Sequence, residues 1–153
     1  MSVRIQVGDF MVQEEYDAIV AEAGDAGAIV IFTGLVREFH QADQETAVTT
    51  LTLEHYPGMT EKALSKIATE ASQRWPLLAT RIVHRVGRME TKEQIVLVGA
   101  ASVHRHAAFE AAEFMMDFLK SRAPFWKKQA TSDGEAWVQS RDSDEESLAR
   151  WKV

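Results

Sequence analysis

The chain contains no cysteine among its 153 residues. That absence excludes a disulfide, a thiolate nucleophile and a cysteine-ligated zinc site. If the protein handles sulfur, the sulfur arrives on another molecule. With only three prolines and eight glycines, the chain has no interdomain linker and no low-complexity tract, and it shows no internal repeat. Neither a Walker loop nor a Gly-x-Gly-x-x-Gly run occurs, so nucleotide binding by a standard phosphate loop is unsupported. No apolar run approaches the roughly 20 residues of a membrane span, and Met1-Ser2-Val3-Arg4-Ile5 lacks a signal-peptide core. A soluble cytoplasmic protein is expected. An excess of cations is missing too: 17 Lys and Arg against 23 Asp and Glu give a net charge of −6, which argues against a general nucleic-acid coat.

A chain of this length buries about 70% of its unfolded surface and holds a core without staples. One domain is expected over residues 1–153, with a helical tail over about 142–153. The pattern is α+β. Val3–Val7 reads as a short edge strand, and Val12, Tyr16, Ile19, Val20 and Ala23 as one face of a helix. Ala28–Gly34 is a near-continuous apolar run, as in a buried strand. Phe39–Thr46 reads as a loop, and Val48–His55 alternates like a half-buried strand. Thr60 is an N-cap candidate for a helix to Trp75. Thr80–Val86 and Gln94–Ser102 are further strands, joined by a loop around Gly87. A long helix follows from about His104 to Arg122, where Ala123-Pro124 ends it. Asp133-Gly134 is a turn, Ala136–Val138 a strand, and Ser143–Trp151 a closing helix.

Against this acidic background, Leu119–Lys128 holds four cations and no acid. Lys120 and Lys127 flank an apolar Pro-Phe-Trp elbow. Lysine beside buried aromatic surface loses hydration, which favours its neutral form and suits acid, base or nucleophile work. The plainer alternative is a helix end whose lysines complement the dipole. Phe125 and Trp126 read as core or pocket wall. A local basic pocket in an acidic chain fits a small anion, such as a phosphate or carboxylate.

Ser102-Val103-His104-Arg105-His106 falls where a buried strand gives way to a helix. Free N–H groups and a positive dipole end meet a His-Arg pair there, as in a phosphate cradle. His104 and His106 with Glu110 make only a weak metal signal, for no second ligand pair has metal spacing. Arg37 follows Gly34 at a strand end and faces either a pocket or solvent. Glu54-His55 and His84-Arg85 are adjacent strand residues that point to opposite faces, so both pairs read as structural.

Nine segments in order carry a resemblance: Phe32–Arg37, Leu53–Met59, His84–Gly87, Ser102–Arg105, Ala108-Phe109, Met116-Asp117, Leu119-Lys120, Ala123–Lys128 and Trp137-Val138. Together, over about residues 5 to 141, the sequence resembles the MoaE family, the large catalytic subunits of molybdopterin synthase. The resemblance implies an α/β hammerhead-like fold, a mixed sheet with packed helices and a small subdomain. It implies sulfur transfer in molybdenum cofactor biosynthesis: cyclic pyranopterin monophosphate becomes molybdopterin by gaining two sulfurs as a dithiolene. The donor is the thiocarboxylated C-terminal glycine of a ubiquitin-like small subunit (MoaD type), whose tail enters a pocket on the large subunit. Two large subunits form a central homodimer within a heterotetramer. No cofactor or metal is implied for the chain itself.

By the same resemblance, Lys120 and Lys127 match the catalytic lysines. Arg37, His104, Arg105 and Lys128 match substrate-pocket positions, with Leu35 and Val36 as neighbouring backbone. His104 and Arg105 are expected to serve the other protomer's site. The family often has a basic residue where Leu35 stands and a glutamate where Gln129 stands. Arg141 is a candidate contact for the partner's tail. Two other readings of the same residues stand: a non-catalytic anion-binding dimer or scaffold, and a metal-dependent hydrolase.

Overall fold

A computed structural model describes residues 1–37, 50–131, 134–138 and 148–151. The element order is β1 (Ser2–Gln6), α1 (Val12–Ala23), β2 (Ala28–Leu35), β3 (Thr50–His55), α2 (Met59–Arg74), β4 (Leu77–Arg85), β5 (Gly87–Glu90), β6 (Gln94–Ser102), α3 (Arg105–Arg122), β7 (Phe125–Thr131) and β8 (Gly134–Val138). The strands make two four-stranded sheets, ordered β1-β4-β6-β2 and β5-β3-β7-β8. The larger sheet is mixed, since β1 runs parallel to β4 and the other pairs are antiparallel. The smaller sheet is antiparallel throughout. This is the expected α+β arrangement.

Strand β6 shows why the larger sheet is so apolar. Val96, Val98 and Ala100 join the main core with α2 and α3. Leu97 and Ala101 face the other way, toward Phe10 and toward Ile19 and Ala23 of α1. A strand covered on both faces cannot alternate apolar with polar. Gly99 belongs to the α1 side, where an added Cβ would lie 2.6 Å from Ile19. The main core is closed by Leu148 and Trp151. Trp151 meets Trp75 and Phe114 edge-on and donates its indole N–H to Asp117 at 2.6 Å.

Five expectations need correction. Strand β2 is not a buried strand: it lies at the end of its sheet among the described residues, none of its side chains is fully buried, and Phe32 and Leu35 are exposed. Helix α1 buries Glu15, Ile19 and Ala23, while Tyr16 and Val20 are exposed. The face is turned because Arg4 and Arg81 both pair with the Glu15 carboxylate. Burial works against that carboxylate, but the two guanidiniums outweigh it and hold its pKa below the usual range. The Gly87 loop is strand β5, paired with β3. Gly87 (φ 89°) permits the crossing from β4 of one sheet into β5 of the other. The residues after Pro124 form strand β7, so only Lys120 belongs to a helix end. Thr60 is not an N-cap but lies fully buried inside α2, which begins at Met59 after Gly58. Glu61 instead accepts the Gly58 amide at 2.5 Å. The loop expected over Phe39–Thr46, Asp133, Arg141 and most of the closing helix lie outside the described residues.

Candidate active site

Sheet register places the candidate residues at two opposite ends. In the larger sheet Ile5, His84, Val96 and Gly34 form one row across all four strands. Leu35 and Val36 leave the sheet just beyond that row. Val36 is buried with Leu51, Leu53 and Met89 beneath the smaller sheet. Its amide donates to Glu93 at 2.9 Å and its carbonyl accepts from Lys92 at 2.6 Å. That clamp fixes the exit of Arg37, which is exposed. Leu35 is also exposed, at 55%, so its backbone and not a buried side chain borders the site.

Lysine 127 sits opposite Leu53 on β3, and Lys128 opposite Thr52. Leu53 packs with Val36, so Lys127, paired with Leu53, shares the face of the smaller sheet that meets the strand exit of Arg37, while Lys128, paired with Thr52, points to the opposite face. Helix α3 runs back along the sheet and delivers Lys120 to this end in its last turn. Lys120 is exposed and Lys127 and Lys128 are half-buried. The expected burial among aromatics therefore does not apply to Lys120.

The elbow between Lys120 and Lys127 is held by side chains from α2, from β4 and from the turn between β3 and α2. The Tyr56 amide donates to Thr60 Oγ1 at 3.0 Å, and the Thr60 hydroxyl donates to the Pro124 carbonyl at 3.1 Å. Phe125 stacks on His84 with ring centres 4.0 Å apart, and Trp126 meets Tyr56 edge-on at 4.1 Å. Phe125 packs against the main core, as the sequence suggests, whereas Trp126 is exposed.

His84 is the residue that sequence reasoning passed over. It is buried, and its pKa is pushed down to about 4. Burial is the main cause; the charges of Lys127, Lys120 and His55 add to it, against a hydrogen bond to Arg85. Its strand neighbour Arg85 turns away, as the alternation requires, to the Val7 and Gln94 carbonyls and to Glu93. His55 pairs with Glu61 at 3.5 Å. No spacing in the sequence could reveal that His84 shares its surroundings with two lysines roughly 40 residues downstream.

His104 and Arg105 lie elsewhere. His104 caps α3 and both side chains are exposed. They follow Ser102, which pairs with Ala28 and Leu77 at the far end of the sheet. Six strand residues from Val96 to Ser102 span about 20 Å. Fifteen helical residues from Arg105 to Lys120 span about 22 Å. One protomer therefore does not bring His104 and Arg105 to its own lysines.

A groove of about 450 Å³ runs between β2 and α3 and ends at Lys120. Val30, Phe32, Phe109 and Met116 wall it, with Glu113 and Asp117 at its edge. Among the described residues no cluster of His, Asp or Glu could hold a metal, and no helix is long and apolar enough to cross a membrane. Gln129 lies opposite Leu51 on β3.

The chain is similar to known proteins over nearly its whole length. The family model described as MoaE protein matches residues 5–122. The molybdopterin synthase catalytic subunit of Pseudomonas aeruginosa is 52% identical over 152 residues, 99% of each chain. The solved molybdopterin biosynthesis MoaE protein of Burkholderia ambifaria is 48% identical, with a TM-score of 0.84 over 100% of this chain and 99% of that one. The crystal structure of molybdopterin synthase from Staphylococcus aureus is 32% identical, with a TM-score of 0.80 over 88% of this chain and 95% of that one.

Proposed function

This chain belongs to the MoaE family, and on that premise we infer that it is the catalytic subunit of a molybdopterin synthase. Its reaction is sulfur transfer from a thiocarboxylated small subunit of MoaD type to cyclic pyranopterin monophosphate, twice, giving the dithiolene. It acts as a homodimer within a heterotetramer, in the cytoplasm, and residues 1–153 form one MoaE-like domain. The absence of cysteine suits this chemistry, since the sulfur comes in on the partner.

The observation that best supports the reading is the packing of the elbow that joins Lys120 to Lys127, whose Phe125 stacks on His84 at 4.0 Å. Two different elements converge there, beside the strand exit of Arg37. Arg37 and Lys128, with the backbone of Leu35 and Val36, bind the substrate at its charged groups. Cations that converge on a phosphate hold it by charge-assisted hydrogen bonds. His104 and Arg105 complete the pocket from the second protomer. The thiocarboxylate sulfur attacks the pterin carbon and displaces oxygen, leaving an acyl thioester between partner and substrate. Water then cleaves the acyl group, and sulfur stays on the product. Lys127 supplies the acid/base and oxyanion contacts of these steps. Lys120 meets the glycine carboxyl group at the end of α3.

The test is a single-turnover assay with a thiocarboxylated small subunit and the cyclic monophosphate, read as the fluorescent oxidation product of molybdopterin. Product is expected from the native chain. Lys127→Ala should keep small-subunit binding and lose at least 100-fold in rate, about 2.7 kcal/mol of barrier. Lys127→Arg and Lys120→Arg separate catalysis from mere anion binding. A scaffold that needs only charge would tolerate both, whereas positioned lysines would not. Full activity in all three variants would remove the lysines from the mechanism.

A further inference from the structure

Buried histidine is costly unless its polar edge is used, because its nitrogens lose water. The ring of His84 has one nitrogen accounted for by geometry: Nδ1 lies 2.8 Å from the Arg85 carbonyl. A carbonyl only accepts, so Nδ1 carries the proton and Nε2 of the neutral ring is a bare acceptor. That tautomer is held firmly. Arg85 is itself fixed by bonds to Val7 at 3.0 Å and Gln94 at 2.9 Å. The ring plane is fixed as well, lying within 19° of Phe125.

The ring stacks on Phe125, which shares one face of β7 with Lys127 and pairs with His55 of β3; the charges acting on the ring are those of Lys127, of Lys120 on α3 and of His55. Among the described residues, no carboxylate is one of them. A phenylalanine at this position would stack on Phe125 equally well and avoid the desolvation cost. Packing therefore does not explain an imidazole here. A carboxylate would orient the lysines but cancel the positive charge that an anionic substrate needs. A neutral acceptor orients them and leaves that charge in place.

We propose that His84 is a positioning residue for the lysine pair, its stacked ring fixing the Phe125 elbow that joins them and its Nε2 offering a neutral hydrogen-bond acceptor on the face of β7 that Lys127 shares with Phe125. This rests on the synthase reading for its consequence in turnover, but not for its geometry. The low pKa of the ring agrees with it, since a protonated His84 would repel both lysines.

Two measurements test it. First, single-turnover rates of His84→Phe, His84→Asn and His84→Gln are compared with the native chain. His84→Phe keeps the stack and should lose at least tenfold in rate with unchanged KM for the cyclic monophosphate. His84→Gln, whose amide reaches the position of Nε2, should recover most of the loss; His84→Asn, whose shorter amide does not, should recover little. A native rate in His84→Phe, or equal rates in His84→Gln and His84→Asn, overturns the proposal even if His84→Phe proves unstable. Second, imidazole ¹⁵N resonances are followed with pH in the native chain and in Lys127→Met. A protonated Nδ1, a bare Nε2 and a titration that moves upward in Lys127→Met are expected. A protonated Nε2, or no response to Lys127→Met, overturns the proposal independently of any activity. A native chain that makes no product but gives the expected resonances would sink the synthase reading and leave the coupling of His84 to the lysines standing.

Discussion

Thr60 is a small residue with a large geometric duty. Its hydroxyl accepts from Tyr56 and donates to Pro124, and it is fully buried. Thr60→Val keeps the shape and leaves the Tyr56 amide and the Pro124 carbonyl without that partner. An unsatisfied buried polar group costs about 1–3 kcal/mol, and denaturant unfolding should read a loss of that size. No loss of stability would show that water replaces the hydroxyl. His84 makes a second, pH-dependent prediction. Its pKa is lowered from 6.5 to about 4 by folding, so the unfolded chain binds its proton first. Its contribution to stability is complete above 6.5 and declines as pH falls toward about 4. Glu15 also has a lowered pKa, but its contribution is lost only below the ordinary glutamate value of 4.5. Between 4.5 and 6.5, then, the fall in stability with acid should be steeper in the native chain than in His84→Phe. Parallel curves in that window would mean that His84 titrates normally. Of these two residues the sequence hints at neither role. Thr60 looks like a helix cap because only local spacing is visible there, and His84 is dismissed because alternation speaks of faces and not of neighbours across two sheets.

Elements carry these residues to their places, and some close approaches tolerate no side chain. Gly27 begins the turn into β2, with its amide on the Ser102 carbonyl at 3.0 Å. A Cβ there would lie 2.2 Å from the backbone oxygen of Val103, the residue before His104. Gly27→Ala must therefore push apart the segment that opens α3. Overpacking of this kind costs about 1–3 kcal/mol, and it should raise the KM for the cyclic monophosphate more than it lowers the rate constant. A normal KM with lowered stability would mean that His104 and Arg105 do not contact substrate. Apolar periodicity makes most elements legible, because β4, β6, α2 and α3 bury one continuous core. It fails at α1, where the Glu15 ion pairs turn the helix, and at β5 and β7. Those two strands border a small core of Val36, Leu51, Leu53 and Met89, too small to impose a long alternating pattern. The candidate lysines are visible as a local excess of cations in an acidic chain. Their meeting point is not, because it depends on the crossing at Gly87 and on the pairing of β7 with β3.

At the scale of the whole molecule, the distance between the two ends of α3 decides how many chains make one site. His104 and Arg105 stand about 22 Å of helix away from Lys120, and the sheet beneath separates them by a similar length. If they bind the substrate that Lys120 and Lys127 transform, they do so in a partner's site. A two-fold dimer allows this, since each chain gives the same segment to the other. The consequence is complementation. One variant carries Lys120→Ala and Lys127→Ala; the other carries His104→Ala and Arg105→Ala. Each alone should be nearly inactive. In a mixed dimer, one site lacks both sets and the other has native lysines from one chain and native His104 and Arg105 from its partner. Random exchange makes half the dimers mixed, each with one working site of two, so activity should recover to about a quarter of the native level. The recovery should follow the rate of subunit exchange and vanish when the dimers are cross-linked before mixing. An equimolar, fully exchanged mixture that stays inactive would place the lysines and the His-Arg pair in separate functions, and the sulfur-transfer pocket would then belong to a single chain.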